Sequence, residues 1–100
     1  MARYRFTRRA VDDLSNIWNY TRVKWSENQA DSYYQMLIDS CSKIASRPDV
    51  GKSYSVISEG LAGFKSGRHI IFYRKTDNNA IEIIRILHEK MDLRNRISKG

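Results

Sequence analysis

The segment GRHIIFYRKTDNNAIEIIRILH, residues 67–88, decides the fold of this chain. It contains two apolar runs, each rich in β-branched and aromatic residues, with a polar stretch between them. Apolar runs of this length that are bounded by turn residues are typical of neighbouring antiparallel strands. We therefore predict strands at residues 68–75 and 80–88, joined by a turn at residues 77–79.

Two further strands are predicted outside this segment. Residues 61–65 follow the glycine turn at Gly60 and complete a three-stranded antiparallel meander. Residues 3–6, RYRF, alternate between polar and aromatic side chains, which is the period of a short half-buried strand. Residues 49–60 are rich in Ser and Gly, and we interpret them as a surface connector.

Two amphipathic helices are predicted between the first strand and the meander. Thr7 offers a hydroxyl cap to the first helix, and Ser26 to Gln29 form a capping box for the second, which Pro48 ends. Apolar residues recur at helical spacing in both segments. In the first helix the apolar stripe comprises Val11, Leu14, Ile17, Trp18 and Trp25, and the solvent face comprises Asp12, Asp13, Asn16 and Arg22.

The element order is therefore β-α-α-β-β-β. This order predicts an α+β fold, in which an N-terminal strand precedes an antiparallel helical hairpin that packs on an antiparallel sheet. Residues 91–98 are expected to add a short basic C-terminal helix. A length of 100 residues fits one domain, spanning residues 1–100.

Composition narrows the class of function. The chain has 18 Lys and Arg against 11 Asp and Glu, and the net charge of +7 favours a polyanion or an acidic protein as partner. The alternative is a basic domain whose charge binds nothing specific. The single cysteine, Cys41, excludes an internal disulfide and a cysteine-based zinc site, so we predict neither cofactor nor metal. The absence of an apolar leader or membrane-length run predicts a soluble, cytoplasmic protein.

The pattern GxxxFxxGRHIIFYR at residues 60–74, followed by IEIIRILHEKMD at residues 81–92, resembles the ParE toxins of the RelE/ParE toxin–antitoxin superfamily. TRRAVDDLxxIWxYT and RPDVGK extend the likeness over nearly the whole chain. The resemblance implies a toxin, associated with plasmid stabilization, that poisons DNA gyrase and leaves cleaved DNA on that enzyme. It also implies a ParD-like antitoxin as partner, with an acidic C-terminal arm. Such a toxin inhibits an enzyme without being one.

The RelE-like branch of the superfamily instead cleaves messenger RNA on the ribosome. That reaction needs a base, an acid and cations around the phosphate. Compared with that branch, Ile70 stands where an arginine is usual, and Leu93 where a tyrosine is usual. These departures favour the gyrase poison, although a ribonuclease using His88, Arg85 and Arg68 remains the alternative. A third possibility is an inactive homologue that only binds its antitoxin.

The candidate site residues are cations, histidines and apolar residues at strand ends and in the tail. We assign no catalytic residue, and we predict contacts to gyrase or antitoxin for Arg68, His69, Arg85, His88, Lys90, Met91, Leu93, Arg94 and Arg96. A structural role for His88 is the alternative, as a strand-end histidine that donates a hydrogen bond to fix the tail.

Two more of these predictions, those for Arg85 and for the tail, have a structural alternative. Strand alternation places Arg85 on the face of Ile81, Ile83 and Leu87, where it is either paired near Glu82 or Glu89 or faces a groove. The tail is either a contact segment or a solvated terminus. We expect it to act separately from the fold, because residues 94–100 add little apolar burial.

Overall fold

A computed structural model of the protein describes residues 3–76, 79–91 and 96–97. It confirms the predicted order of helices and strands, and it adds a two-residue strand and a short 3-10 helix, Pro48–Val50, within the connector. The elements are β1 (Tyr4–Phe6), α1 (Arg8–Lys24), α2 (Glu27–Ser46), β2 (Lys52–Ser53), β3 (Ala62–Ser66), β4 (His69–Lys75) and β5 (Ile81–His88).

Both helices begin at the residues that their caps predict. The Thr7 side chain accepts a hydrogen bond from the Ala10 amide, and the Ser26 side chain accepts one from the Gln29 amide. A side-chain acceptor at this position satisfies one of the amides that the first turn leaves free. The Thr7 hydroxyl also donates to the Ile84 carbonyl at 2.8 Å, so this cap ties α1 to β5.

The sheet has five strands in the order β1-β5-β4-β3-β2. The meander of β3, β4 and β5 is antiparallel, as predicted, but β1 runs parallel to β5, so the sheet is mixed. A parallel neighbour needs a long connection, and the helical hairpin between β1 and the meander provides one. The direction of β1 is therefore not fixed by a tight turn, and strand periodicity alone does not reveal it.

The helical hairpin covers one face of the sheet, where it forms the main core. Leu14 and Leu37 of the helices pack there with the sheet residues Ile71, Tyr73 and Ile83.

A smaller apolar cluster fills the opposite face of the sheet. The connector residues Tyr54 and Ile57 and the tail residue Ile97 pack there on four buried residues, Leu61, Ile70, Phe72 and Leu87. The tail is therefore not separate from the fold at Ile97, contrary to our expectation, because this second apolar face needs a cover.

The apolar stripe of α1 is narrower than predicted. Val11 is 48% exposed and Trp25 is 69% exposed, whereas Ala10 and Leu14 are buried. Position 11 is rotated by about 100° from position 10, and Trp25 lies beyond the last residue of the helix.

Among the described residues, no helix combines the length and apolar character that crossing a membrane requires.

Candidate partner-binding groove

A groove of about 520 Å³ opens between the tip of the helical hairpin and the adjoining ends of β4 and β5. We call it the hairpin-end groove. It brings together four of the predicted site residues, Arg68, His69, His88 and Lys90. The helical side contributes Lys24 and three aromatic side chains, Tyr20, Trp25 and Tyr33.

The strand register places the two histidines side by side. His69 opens β4 and His88 closes β5, and the two residues are direct partners across the ladder. Their ring centroids are 5.4 Å apart, and the rings are nearly perpendicular at 81°. The Glu89 amide donates to the Arg68 carbonyl at 3.0 Å, which extends the pairing beyond the strands and fixes the end of the sheet.

Tyr33 of α2 reaches this end of the sheet through its hydroxyl. The Tyr33 oxygen lies 2.7 Å from His69 Nδ1 and accepts a hydrogen bond from the Arg68 amide at 3.0 Å. Among the described residues the Tyr33 hydroxyl has no other acceptor, so we assign its proton to the bond with Nδ1, which leaves the His69 proton on Nε2. From the sequence, Tyr33 is assigned only to the apolar stripe of α2, because its periodic position says nothing about where the hydroxyl ends.

His69 is a neutral member of the groove. Burial lowers the pKa of His69 to about 4, and His88 acts in the same direction, while Asp13 and Glu89 oppose the change. A desolvated imidazole disfavours its proton, so His69 adds no positive charge to the groove at neutral pH.

His88 has a backbone partner. Its Nδ1 accepts a hydrogen bond from the Lys90 amide at 3.1 Å, a geometry that requires an unprotonated nitrogen. This bond fits the structural alternative for His88 as a strand-end residue that holds the following segment. The histidine accepts the bond, however, where we expected it to donate.

The cations at the far end of β4 contact the connector. Lys75 Nζ lies 2.8 Å from Asp49 Oδ1. Arg74 donates from Nε to the Glu59 carbonyl at 3.2 Å and from Nη2 to the Ser58 hydroxyl. These two side chains therefore hold the connector in place. Of the cations in and next to β4, namely Arg68, Arg74 and Lys75, Arg68 alone lines the groove.

Arg85 lies outside the groove, paired with α1. The register shifts at a bulge, so that Arg85 opposes Phe72 while Ile83 opposes Tyr73. This bulge breaks the alternation that we used to place Arg85 on the face of Ile81 and Ile83. Arg85 Nε and Nη2 lie 2.8 and 3.0 Å from the Asp13 carboxylate oxygens, so the paired alternative is confirmed.

The partner of Arg85 differs from both predicted partners. Glu82 instead pairs with Arg5, and Glu89 pairs with Lys65. The Asp13 side chain is only 11% exposed, although the helical pattern placed it in solvent. Asp13 Oδ2 also accepts the Ile86 amide at 3.0 Å. The pairing of β1 with β5 ends at Phe6 and Ile83, so β1 does not reach the Ile86 amide. Asp13 supplies the acceptor for this amide instead.

The family model for the ParE toxin of the type II toxin–antitoxin system, parDE, matches residues 4–93. The chain belongs to the ParE toxin family. It is 37% identical to Toxin ParE1 of Caulobacter vibrioides over 94 residues, which covers 94% of this chain and 96% of that toxin. It is 32% identical to Toxin ParE1 of Mycobacterium tuberculosis over 92 residues, which covers 92% of this chain and 94% of that toxin.

Two solved structures share the fold of this chain. The chromosomal ParDE system from P. aeruginosa gives a TM-score of 0.75 at 19% identity, covering 88% of this chain and 96% of that chain. A chain of the toxin–antitoxin complex RelBE2 from Mycobacterium tuberculosis gives a TM-score of 0.59 at 22% identity, covering 88% of this chain and 98% of that chain. At these identities the likeness supports the architecture only.

The remaining predicted site residues of this ParE-family chain lie in or beside its tail. Met91 is 40% exposed, and its amide donates to the His88 carbonyl at 3.0 Å. The Arg96 carbonyl accepts a hydrogen bond from Arg85 Nη1 at 3.2 Å. Leu93 and Arg94 lie outside the described residues. Within the described ranges, no group of three or more His, Cys, Asp or Glu side chains is arranged to hold a metal ion.

The hairpin-end groove of this ParE-family chain is chemically suited to binding. Lys24, Arg68 and Lys90 supply positive charge, while Tyr20 and Trp25 offer large apolar surfaces that are 62% and 69% exposed. Arginine and aromatic side chains are the groups that most often dominate protein–protein affinity. The groove therefore combines an electrostatic rim with aromatic anchors.

Proposed function

We propose that this ParE-type toxin poisons DNA gyrase by binding to it, breaks no bond itself, and is neutralised by a ParD-like antitoxin. The observation that carries the proposal is the hairpin-end groove, in which Lys24, Arg68 and Lys90 lie beside the exposed Tyr20 and Trp25. A net charge of +7 adds long-range attraction to acidic protein surfaces. The location that goes with both proposed partners is the cytoplasm, and we propose it for this toxin.

The arrangement of the candidate catalytic groups supports binding over catalysis. Arg85 is held by both Asp13 oxygens and is 14% exposed, so it is poorly placed to stabilise the phosphate of a bound RNA. His69 shares its Nδ1 with Tyr33, and His88 shares its Nδ1 with the Lys90 amide. A general base must be free to take a proton from its substrate.

The gyrase proposal is tested with purified toxin, gyrase and supercoiled plasmid. Linear DNA is expected to accumulate once the proteins are denatured and digested, because a poison traps the cleaved intermediate. Arg68→Glu should reduce the linear product, whereas Lys43→Glu, on the exposed side of α2 and outside the groove, should not. Only relaxed or supercoiled plasmid at a stoichiometric excess of toxin would refute the proposal.

The antitoxin proposal is supported by the similar structures, which come from the ParDE and RelBE2 toxin–antitoxin systems. It is tested by co-expressing the toxin with the small reading frame next to its gene. Growth should be restored, and the two proteins should purify together as a hetero-oligomer. Continued growth arrest despite equal expression of both proteins would contradict a neutralising partnership.

A RelE-like ribonuclease is the second candidate, because the His69–His88 pair lies in the same groove as Arg68. Primer extension on translated messages separates the two candidates. Codon-spaced cuts that disappear in His88→Ala would favour the ribonuclease, whereas intact messages during growth arrest would exclude it. Normal growth during expression of the toxin alone would instead favour the third candidate, an inactive homologue that only binds its antitoxin.

A further inference from the structure

We infer that the Tyr33 hydroxyl is the positioning group of the hairpin-end groove, because it holds the β3–β4 turn on α2 and thereby fixes where Arg68 is presented. The inference concerns how the groove is built. Its consequence for partner binding rests on the proposed function.

The Tyr33 hydroxyl joins α2 to two consecutive residues at the end of the turn. Its oxygen accepts from the Arg68 amide at 3.0 Å and lies 2.7 Å from His69 Nδ1, to which we assign the hydroxyl proton. Burial raises the pKa of Tyr33, although Arg68 acts in the opposite direction, so the proton needed for this donation is retained at neutral pH. Hydrogen bonds in series of this kind reinforce one another.

The close packing of the turn against α2 is independent evidence that the Tyr33 contact holds the turn in place. A Cβ atom added at Gly67 would lie 2.7 Å from the Tyr33 hydroxyl oxygen and 2.8 Å from Met36 Cε. Gly67 also has a φ of +61°, a conformation that glycine adopts readily. The turn is therefore seated directly on α2, with the Tyr33 hydroxyl at the point of contact.

Both backbone polar groups of Arg68 are thereby engaged. Its amide donates to the Tyr33 hydroxyl, and its carbonyl accepts from the Glu89 amide at 3.0 Å. The exposed Arg68 side chain thus extends into the groove from a backbone that is held on both sides. Holding a contact residue in its bound position before association reduces the ordering cost of binding. Loss of the hydroxyl removes one of these two anchors and leaves every charge in place.

The first test compares Tyr33→Phe with Tyr34→Phe, since Tyr34 is the next residue on α2, is 40% exposed and does not line the groove. Nitrogen NMR of His69 should show the Nε2–H tautomer in the wild type and in Tyr34→Phe, and a mixture of tautomers in Tyr33→Phe. Amide exchange of Arg68 should accelerate by about 3- to 10-fold in Tyr33→Phe only, as expected for one lost neutral hydrogen bond. An unchanged tautomer and unchanged exchange would overturn the positioning role, whatever the target of the toxin.

The second test is a double-mutant cycle on growth inhibition, measured as the toxin level that halves the growth rate. Tyr33→Phe should raise that level by about 3- to 10-fold, while a purely structural role would alter stability alone. In the Arg68→Ala background the same change should have less than about a twofold effect, because the group it positions is gone. Equal effects in both backgrounds would contradict the coupling. A wild-type toxin that does not inhibit growth would instead refute the proposed function, and the NMR comparison would still decide the role of Tyr33.

Discussion

Removing the Asp13 carboxylate is expected to destabilise this domain far more than breaking a surface ion pair. The Asp13 and Arg85 side chains are 11% and 14% exposed. Asp13→Ala would deprive Arg85 Nε and Nη2 and the Ile86 amide of their acceptor. The arginine remains protonated at any ordinary pH, so it cannot escape the loss by becoming neutral.

The size of the effect follows from this geometry. Removing one partner of a buried ion pair costs about 3–5 kcal/mol, and the small residual exposure of both groups favours the lower end, about 3 kcal/mol. Asp13→Asn is expected to cost less, about 1–2 kcal/mol, because the amide oxygen still serves one donor. Arg5→Ala is the matched control, since the Arg5 side chain is 71% exposed in its pair with Glu82. Such a pair contributes less than about 1 kcal/mol.

Urea unfolding at pH 7 measures these differences. For a small domain, about 3 kcal/mol shifts the unfolding midpoint by about 1–3 M urea. The double variant Asp13→Ala/Arg85→Ala should lose at least about 1 kcal/mol less than the sum of the single variants, because the charge stranded in Asp13→Ala is no longer present. A midpoint for Asp13→Ala equal to that of Arg5→Ala would refute the reasoning and show that water replaces the carboxylate at this edge.

Two further predictions concern His69 and the tail. Burial lowers the pKa of His69 from 6.5 to about 4. Between these pH values the unfolded chain therefore binds a proton at His69 that the folded chain does not, so the free energy of unfolding decreases as the pH falls. Partial solvent access limits this loss to about 1–2 kcal/mol. In urea unfolding, the stability of His69→Gln should decrease less from pH 7 to pH 5 than that of the wild type. An equal decrease in the two proteins would contradict the burial argument. Ile97→Ala is expected to cost about 1 kcal/mol by thermal unfolding, because Ile97 packs on the second sheet face. Val56→Ala is the control, because the Val56 side chain is 79% exposed. Equal melting temperatures for Ile97→Ala and Val56→Ala would contradict this prediction and support a tail that is separate from the fold.

The secondary structure of this chain was predictable because its signals are local. The Thr7 and Ser26 caps each act on an amide three residues away, and the structure contains both hydrogen bonds. The apolar run at residues 70–73 predicted β4, and all four of its side chains are buried. What local periodicity did not supply was the direction of β1 or the bulge opposite Phe72, both of which depend on how distant segments meet.

The candidate site was only partly predictable, for the same reason. Strand ends brought Arg68, His69 and His88 together, since residues that end adjacent antiparallel strands must be neighbours. Tyr33 and His69, by contrast, are 36 residues apart in the chain, and Asp13 and Arg85 are 72 apart. No spacing rule connects residues so distant in sequence. Each side chain also had a simpler local interpretation, as part of an apolar stripe or of a solvent-facing helix surface.

The distribution of ion pairs separates the charges that stabilise the fold from those available to a partner. Within the described parts of the chain, the ion pairs involve Arg5, Lys65, Lys75 and Arg85, and none of these residues lines the hairpin-end groove. The groove cations lie outside these pairs, and Lys24 is instead held beside Tyr20, with Nζ 3.2 Å from the tyrosine hydroxyl.

This separation suits a protein whose proposed action is binding. A cation already neutralised by an intramolecular carboxylate offers little to a partner, because the partner must first break that pair. A cation held in place by an aromatic ring or by its own backbone keeps its charge available and loses little conformational freedom on association. The net positive charge of this chain is therefore not evenly available over its surface, and we expect charge reversals in the groove to weaken partner binding far more than reversals at paired positions.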